Sequence, residues 1–381
     1  MKNSIKPQVG IIIGGKSVEH DISVLSGLQA KFAIDEEKYD VTVFYLTKDN
    51  HWLIGEDLNT LSTYQKGCFD NCKEIVFYPQ NNKSCYHYLD KPKKEGYIDI
   101  FIPVVHGAGM EDGTLCAYLE LINATYTCAK ITASSLAQDK VFTKEILTYH
   151  QLPVIAFRQL SRSDFSQVSI TNIVQTLSFP LIVKPATLGS SIGIEKCKDM
   201  EEFQEAVHKS FTYGNKMIIE KALDNYREFN CAILKDGMEY HISCVEEVMP
   251  SSDILSFIDK YENELNKLSS ATNRIIPAVI SKELEVKIKT LALKSYQILE
   301  MSGVVRIDFL YDNESETIYL NEINTIPGSL AFYLFEKEGI TFTKLINILI
   351  KNALFEKQQK EKLVTHFNSN VLSKKSIKLK N

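Results

Sequence analysis

The chain has 381 residues, a formal net charge of −5 and a hydrophobic fraction of 44%, which is room for two or three domains with ample cores. The near-neutral charge argues against a general nucleic-acid binder, which would carry a basic patch or stripe, and the lack of any run of about 18 apolar residues rules out a transmembrane helix. The apolar stretch before Gly14-Gly15 is too short for a secretory signal, and eight cysteines without framework spacing suit a reducing compartment, so the cytosol is the expected address, with no membrane partner.

In chain order, Val9–Ile13 reads as a buried strand ending in Gly14-Gly15, with Ser17 as a helix cap and a helical pattern from Val18. Strands follow at Val41–Leu46 and Ile98–Val105; residues 50–97 between them are polar and read as a surface excursion with a few short strands. Cys68, Cys72, Cys85 and His87 within that stretch are spaced too irregularly for a zinc site. Leu115–Ile122 is helix-like, and Ser134–His150 is a stronger helix. Around residue 136 the pattern changes to a small α+β unit: strand Phe179–Pro185, a Gly/Ser loop, a returning strand Ile194–Lys196 and an amphipathic helix Met200–Phe211. From Met217 the chain turns strand-rich, at Met217–Glu220, Glu228–Leu234 and Met238–Val248. Helix Lys282–Met301, strands Val304–Tyr311 and Thr317–Ile323 and a last helix near Phe342–Phe355 complete it. The tail beyond is basic and poor in apolar residues, as solvated chain ends are.

The two strands around Ser315 form a hairpin in which Arg306 and Asp308 share a face, as do Glu322 and Asn324. Centred near Ser315, the hairpin sets Asp308 opposite Glu322 and Arg306 opposite Asn324. Directly opposed Cβ atoms lie about 4.5–5.5 Å apart. Two carboxylates and an amide oxygen converging in this way are hard ligands suited to Mg²⁺, which keeps other positions for water and phosphate; standing alone, the same pattern is also the ordinary solvated face of an edge hairpin. The loop Lys184-Pro-Ala-Thr-Leu-Gly189-Ser190-Ser191-Ile-Gly193 brings backbone N–H groups within reach of phosphate, though it is no Walker A loop and on its own also reads as a flexible hairpin. Gly14-Gly15-Lys-Ser-Val-Glu19-His20 sits at the first strand-to-helix turn, where open sheets bind ligands. No G-x-G-x-x-G fingerprint is present, which argues against a nicotinamide enzyme. His106, followed by Glu111-Asp112-Gly113, ends a third strand, either as a satisfied strand-end histidine or as a site residue.

Taken in order, these segments resemble the D-alanine–D-alanine ligases of the ATP-grasp superfamily: Gly14 to His20, His106 to Thr114, Asp139-Lys140, Lys184 to Gly193, Ile219 to Leu223, Asp259-Lys260-Tyr261, Arg306-Ile-Asp308 and Asn321 to Gly328. The resemblance covers residues 8 to 350. It implies an α/β and α+β, three-domain ATP-grasp fold: an N-terminal parallel-sheet domain over 1–135, a small central α+β unit over 136–216 and a C-terminal unit over 217–355, with 356–381 as the tail. ATP is then gripped between the last two units.

The resemblance also implies roles. Lys140 and Lys184 match lysines on the nucleotide phosphates, and Lys260 and Ser191 belong with the nucleotide site. Glu220 with the backbone of Ala222 and Leu223 matches the adenine-binding strand. Glu228 matches the ribose carboxylate, with one extra residue in the spacing before it. Asp308, Glu322 and Asn324 match the ligands of two Mg²⁺ ions, with Mn²⁺ as an alternative. Glu19 matches the carboxylate on the first D-alanine's ammonium, Ser190 and Tyr261 the hydroxyls that close a loop with it, and Arg306 with the N–H of Gly328 the oxyanion donors; His106 is assigned to the substrate. The chain departs from the family after Pro327-Gly328, where a Ser-Leu pair several residues on holds the second substrate's carboxylate. Here the run is Ser329-Leu-Ala-Phe-Tyr333-Leu, so either Ser329 acts from a shifted position or Tyr333 replaces the serine. Tyr261 favours an amine acceptor over D-lactate. The implied reaction joins two D-alanines through an acyl phosphate, with small-molecule D-amino acids and ATP as partners and a homodimer as the assembly. The rivals are a ligase using another acceptor such as D-serine, and a nucleotide-binding protein that has lost ligation.

Overall fold

The computed structural model describes residues 6–249 and 274–364. Lys260, Tyr261 and the chain beyond 364 lie outside these described residues.

Three sheets organise the molecule. In the first, Gln8–Gly14 runs parallel to Asp40–Leu46 on one side and Ile100–Pro103 on the other. Val9, Ile11, Ile12 and Ile13 are fully buried, because a parallel strand covered on both faces reads as an unbroken apolar run rather than an alternation. Trp52–Ile54, Lys73–Gln80, Lys83–Tyr88 and Glu95–Ile98 extend this sheet in antiparallel steps. The excursion expected over 50–97 therefore contributes to the core. Ile75 and Phe77 point inward and alternate with Glu74, Val76 and Tyr78, which face out or are half-buried, and the Phe77 ring packs 5.0 Å from Phe44 and 5.3 Å from Phe101. The single strand expected over Ile98–Val105 breaks at Asp99, whose carboxylate accepts the Gln8 N–H at 2.9 Å. Its two halves serve opposite edges of the sheet.

The first helix, His20–Ala33, starts two residues later than expected, with Glu19 at its cap position. Ser17 instead ties the turn together: its hydroxyl accepts the Glu19 N–H at 3.1 Å and donates to the His106 carbonyl at 2.6 Å. The long helix expected over Ser134–His150 is two, Ile131–Gln138 and Lys140–Tyr149. Asp139 separates them, accepting the N–H groups of Val141 and Phe142 as an N-cap. Lys140 thereby becomes the first residue of the second helix, with Lys144 one turn on along the same face.

The second sheet is four-stranded and antiparallel, in the order Glu195–Cys197, Leu181–Pro185, Lys216–Lys221, Phe157–Ser161. Helices Gln167–Leu177 and Met200–Ser210 cover it around Phe203, Ile170 and Val207. A boundary placed between residues 216 and 217 falls inside one of its strands. The third sheet runs Arg274–Ile275, Glu246–Val248, Tyr226–Asp236, Val304–Asp312, Thr317–Asn324, with Glu239–Ile242 hairpinned onto Tyr226–Asp236. One face, with Phe229, Cys231, Ile233, Val305, Ile307 and Phe309, packs among the residues of helix Lys282–Ile298. The other face changes character along its length: Leu234, Ala232 and Val304 join the core of the first unit, whereas Asn230, Glu228 and Asp308 open onto a cleft. The last helix runs Phe342–Lys360, five residues beyond its expected end, held by ion pairs of Lys130 with Glu356 (3.1 Å) and Lys360 with Glu120.

Candidate active site

The cleft between the second and third sheets encloses about 460 Å³. Its lining includes Lys140, Lys184, Leu188, Gly189, Ser191, Glu220, Leu223, Glu228, Asp308 and Glu322, all but two of which carry a role implied by the sequence. On the second sheet, Lys184 pairs with Ile218 and Ile182 with Glu220, which makes Lys184 and Glu220 diagonal neighbours on one face. The Lys184 ammonium sits 2.6 Å from Glu220 Oε2 and 3.4 Å from Asn321 Oδ1. The other Glu220 oxygen meets Lys144, a fully buried lysine that the sequence reading passed over. Burial alone would push the Glu220 carboxyl up, but Lys144 and Lys184 outweigh it and hold it down at about 2. Burial also lowers Lys144, against the pull of Glu220, whereas for Lys184 the carboxylates of Glu220, Glu322 and Glu228 overcome burial and raise it. Lys140 Nζ donates to the Leu188 carbonyl at 2.6 Å and lies 3.9 Å from Glu322.

On the third sheet, Asp308 opposes Glu322 and Arg306 opposes Asn324, as the strand period predicts. The route to that register is different. Near the turn Asp312 faces Thr317 and Phe309 faces Leu320, so the hairpin is not centred on Ser315. One extra residue, Asn321, forms a bulge that brings the acidic pair into line, and the same residue meets Lys184. The Arg306 fork grips Asp308 with two bonds of 2.7 and 2.8 Å, and the Asn324 amide donates to Asp308 at 3.0 Å. Burial works against the Arg306 charge, but Asp308 outweighs it and raises the guanidinium's pKa. Among the described residues no group of three His, Cys, Asp or Glu is placed to hold a metal ion; the hairpin offers two carboxylates and an amide. A carboxylate has about four lone-pair positions, so Asp308 retains acceptor capacity beside Arg306. This donor set fits a hard divalent cation that draws its remaining ligands from phosphate and water.

Glu19 is buried, and the hydroxyl of Ser190, whose neighbours Gly189 and Ser191 line the cleft, donates to its Oε1. That bond joins the first helix to the loop after strand Leu181–Pro185. Gly107 packs against the other Glu19 oxygen, with a φ of +87° that disfavours a side chain. Behind it lies Glu111, which accepts the Gly107 N–H at 2.7 Å. Burial first, and the Glu19 charge second, push the Glu111 carboxyl well above its ordinary range. His106 is buried, with Nδ1 2.9 Å from the Ile326 carbonyl and Nε2 3.1 Å from Ser26 Oγ. Its ring fastens the first helix to the segment leading into Pro327-Gly328.

Gly328 opens a short turn, Gly328–Ala331, in which Ser329, Leu330 and Ala331 all have φ near +50°. Ser329 packs on the first helix: its N–H donates to Ser26 Oγ at 3.1 Å and its hydroxyl to Gln29. Tyr333 joins a different network, accepting from Arg274 at 3.0 Å and donating to Glu246 at 3.3 Å. Glu246 is fully buried and also accepts from Arg274 and Asn230, both at 2.9 Å. Asn230 pairs across the sheet with Asp308 and lines the cleft, so polar side chains connect Tyr333 through Glu246 to the strand neighbour of Asp308, whereas Ser329 bonds to the first helix. Ala222 donates its N–H to the Pro180 carbonyl at 3.0 Å. Asn230 and Lys144 escaped the sequence reading, and Asn321 and Glu111 stood in its motifs without a role. For Asn230 a signal existed, since it lies two residues from Glu228 on the same strand face.

Residues 8–129 match the protein family described as D-ala D-ala ligase N-terminus, and residues 146–351 match D-ala D-ala ligase C-terminus. The D-alanine–D-alanine ligases of Thermosipho africanus and Thermosipho melanesiensis are 34% and 37% identical to the chain, each over 96% of it and 98% of the relative. Among solved structures, the D-alanine–D-alanine ligase from Coxiella burnetii superposes with a TM-score of 0.82 at 25% identity, over 95% of this chain and 97% of that one. The VanG D-Ala:D-Ser ligase from Enterococcus faecalis superposes with a TM-score of 0.79 at 25% identity, over 92% and 100%.

Proposed function

The chain belongs to the D-alanine–D-alanine ligase family, and from that premise we propose that it joins two D-alanines at the expense of ATP, with the residues of the cleft dividing the work as follows. The observation that carries the assignment is one cleft lined by Asp308, Glu322, Lys140 and Lys184, with Arg306 gripping Asp308 and with Ser190, between the lining residues Gly189 and Ser191, bonded to Glu19.

A carboxylate is a poor electrophile, so it must first be phosphorylated. Glu19 draws in the first D-alanine through its ammonium, and its bond to Ser190 supports the loop 188–193 in the closed position that keeps water out. Lys140 and Lys184 neutralise the phosphates as the substrate carboxylate approaches the γ-phosphorus. Glu220, Ala222, Leu223 and Glu228 hold the nucleoside, with Ser191 at the phosphate loop. Asp308, Glu322 and Asn324 hold Mg²⁺, which when bound supplies positive charge to the transferring phosphoryl group. The acyl phosphate is then attacked by the amine of the second amino acid. Arg306 and the Gly328 N–H stabilise the oxyanion of that step, where one donor is commonly worth about 10²–10³ in rate. Tyr333, backed by Arg274 and Glu246, orients the second amino acid's carboxylate, while His106 and Ser329 fix the turn that carries Gly328. Tyr261 and Lys260, outside the described residues, are assigned by family resemblance alone.

Phosphate release measured with D-alanine, D-serine and D-lactate, singly and in pairs, tests the assignment. Release that depends on D-alanine and is maximal with D-alanine alone supports it; a preference for the D-alanine/D-serine pair moves the acceptor, and no release with any pair removes ligation.

A further inference from the structure

Lys144 lies outside every role named above, yet its ammonium is 1% exposed and rests against the Glu220 carboxylate, itself 2% exposed. Among the described residues Glu220 is the one ion-pair partner of Lys144 Nζ, which has no hydrogen bond to any other group there. Glu220 therefore carries two cations, Lys144 on one oxygen and Lys184, 2.6 Å away, on the other. Only Lys184 also lines the cleft and reaches Asn321. To contact a phosphate, Lys184 must share its ammonium between Glu220 and the ligand or leave Glu220, and either weakens its hold on that carboxylate. A buried carboxylate that loses its only counter-ion is strongly destabilised, so with one lysine the pair would stay locked and Lys184 would be withheld from the ligand. The second lysine removes that obstacle.

We propose that Lys144 is a positioning residue for nucleotide binding: it stays on Glu220 as a permanent counter-ion, keeps that carboxylate fixed in the cleft wall, and releases Lys184 to the phosphates. The helix Lys140–Tyr149 suits this division, since its first residue reaches the cleft and the residue one turn later anchors the wall behind it. The inference rests on the nucleotide-site reading given above.

The test is a double-mutant cycle on the full chain, with KM for ATP, KM for D-alanine and kcat measured for wild type, Lys144→Met, Glu220→Gln and the double variant. Lys144→Met is expected to raise the ATP KM about tenfold, equivalent to about 1.4 kcal/mol, while the D-alanine KM stays within about twofold. In the Glu220→Gln background no carboxylate needs a counter-ion, so adding Lys144→Met should change the ATP KM by less than about twofold. An unchanged ATP KM in Lys144→Met, an equal rise in both backgrounds, or a parallel rise in the D-alanine KM overturns the proposal. Lys144→Gln, which keeps a polar head in the buried site, is carried through the same cycle with the same expectations, so a folding defect in the Met variant does not decide the outcome. A wild-type enzyme without D-alanine-dependent ATP turnover would instead remove the underlying functional reading.

Discussion

Replacing Gly107 with alanine isolates the placement of Glu19. Gly107 has φ +87°, and an added Cβ would stand 2.6 Å from Glu19 Oε2 and 3.1 Å from Ser17. Ordinary contact needs about 3.5 Å, so the carboxylate must retreat by roughly 0.9 Å, out of the position in which it meets Ser190 and would hold the first substrate's ammonium. Displacements of about 1 Å at a reacting centre cost on the order of 10²-fold. Separately, a side chain in the left-handed region costs about 1–2 kcal/mol of stability. Gly109 separates the two effects: its φ is +83°, but the nearest atom to an added Cβ is 3.8 Å away. Both variants should melt at lower temperature, Gly107→Ala by more because it adds the clash to the backbone strain. In steady-state assays Gly107→Ala should lose about 10- to 100-fold in kcat/KM for D-alanine with the ATP KM unchanged, while Gly109→Ala keeps near-normal kinetics. Equal kinetics in the two variants would refute the placement of Glu19 at the first substrate.

Glu322→Gln should abolish ADP release, because it removes one of two opposed carboxylates while leaving the fold; near-normal turnover would discard the metal assignment. Glu111 offers a pH test. Its folded pKa is raised above the ordinary carboxylate value near 4.5, so the folded state binds the extra proton, and the stability this brings is fully present below that value and lost as pH rises through the folded pKa. Glu111→Gln keeps an acceptor for the Gly107 N–H but cannot ionise, so its melting temperature should gain on wild type as pH increases, with a pH-independent difference counting against the argument. Tyr333→Phe should raise the KM for the second amino acid several-fold, whereas Ser329→Ala should chiefly lower stability by breaking its contact with Gln29; the reverse pattern would return the acceptor's carboxylate to Ser329.

Much of the acidic hairpin was legible in the sequence because strand geometry has a strict period of two, which alone puts Arg306 with Asp308 and Glu322 with Asn324. The bulge at Asn321 was not legible, since an extra residue in a ladder leaves no local signature in a polar run. Asp139 shows the same limit from the other side: a continuous helical pattern hid a cap that starts a new helix and aims Lys140. Residues 73–80 read as surface because half of their side chains are polar, yet the alternate half fills the core beside Phe44. Contacts distant in sequence, such as Ser190 with Glu19 or Lys144 with Glu220, follow from no local pattern. Family resemblance anticipated the first and missed the second.

The most direct measurement follows the oxygen atoms. With D-alanine labelled by ¹⁸O in its carboxyl group, phosphorylation of that carboxylate in the cleft transfers one labelled oxygen to each inorganic phosphate released. Mass analysis of the phosphate after turnover with ATP should find that one-to-one transfer. Phosphate free of label, at matched dipeptide yield, would show that the carboxylate never attacks the γ-phosphorus and would contradict the account.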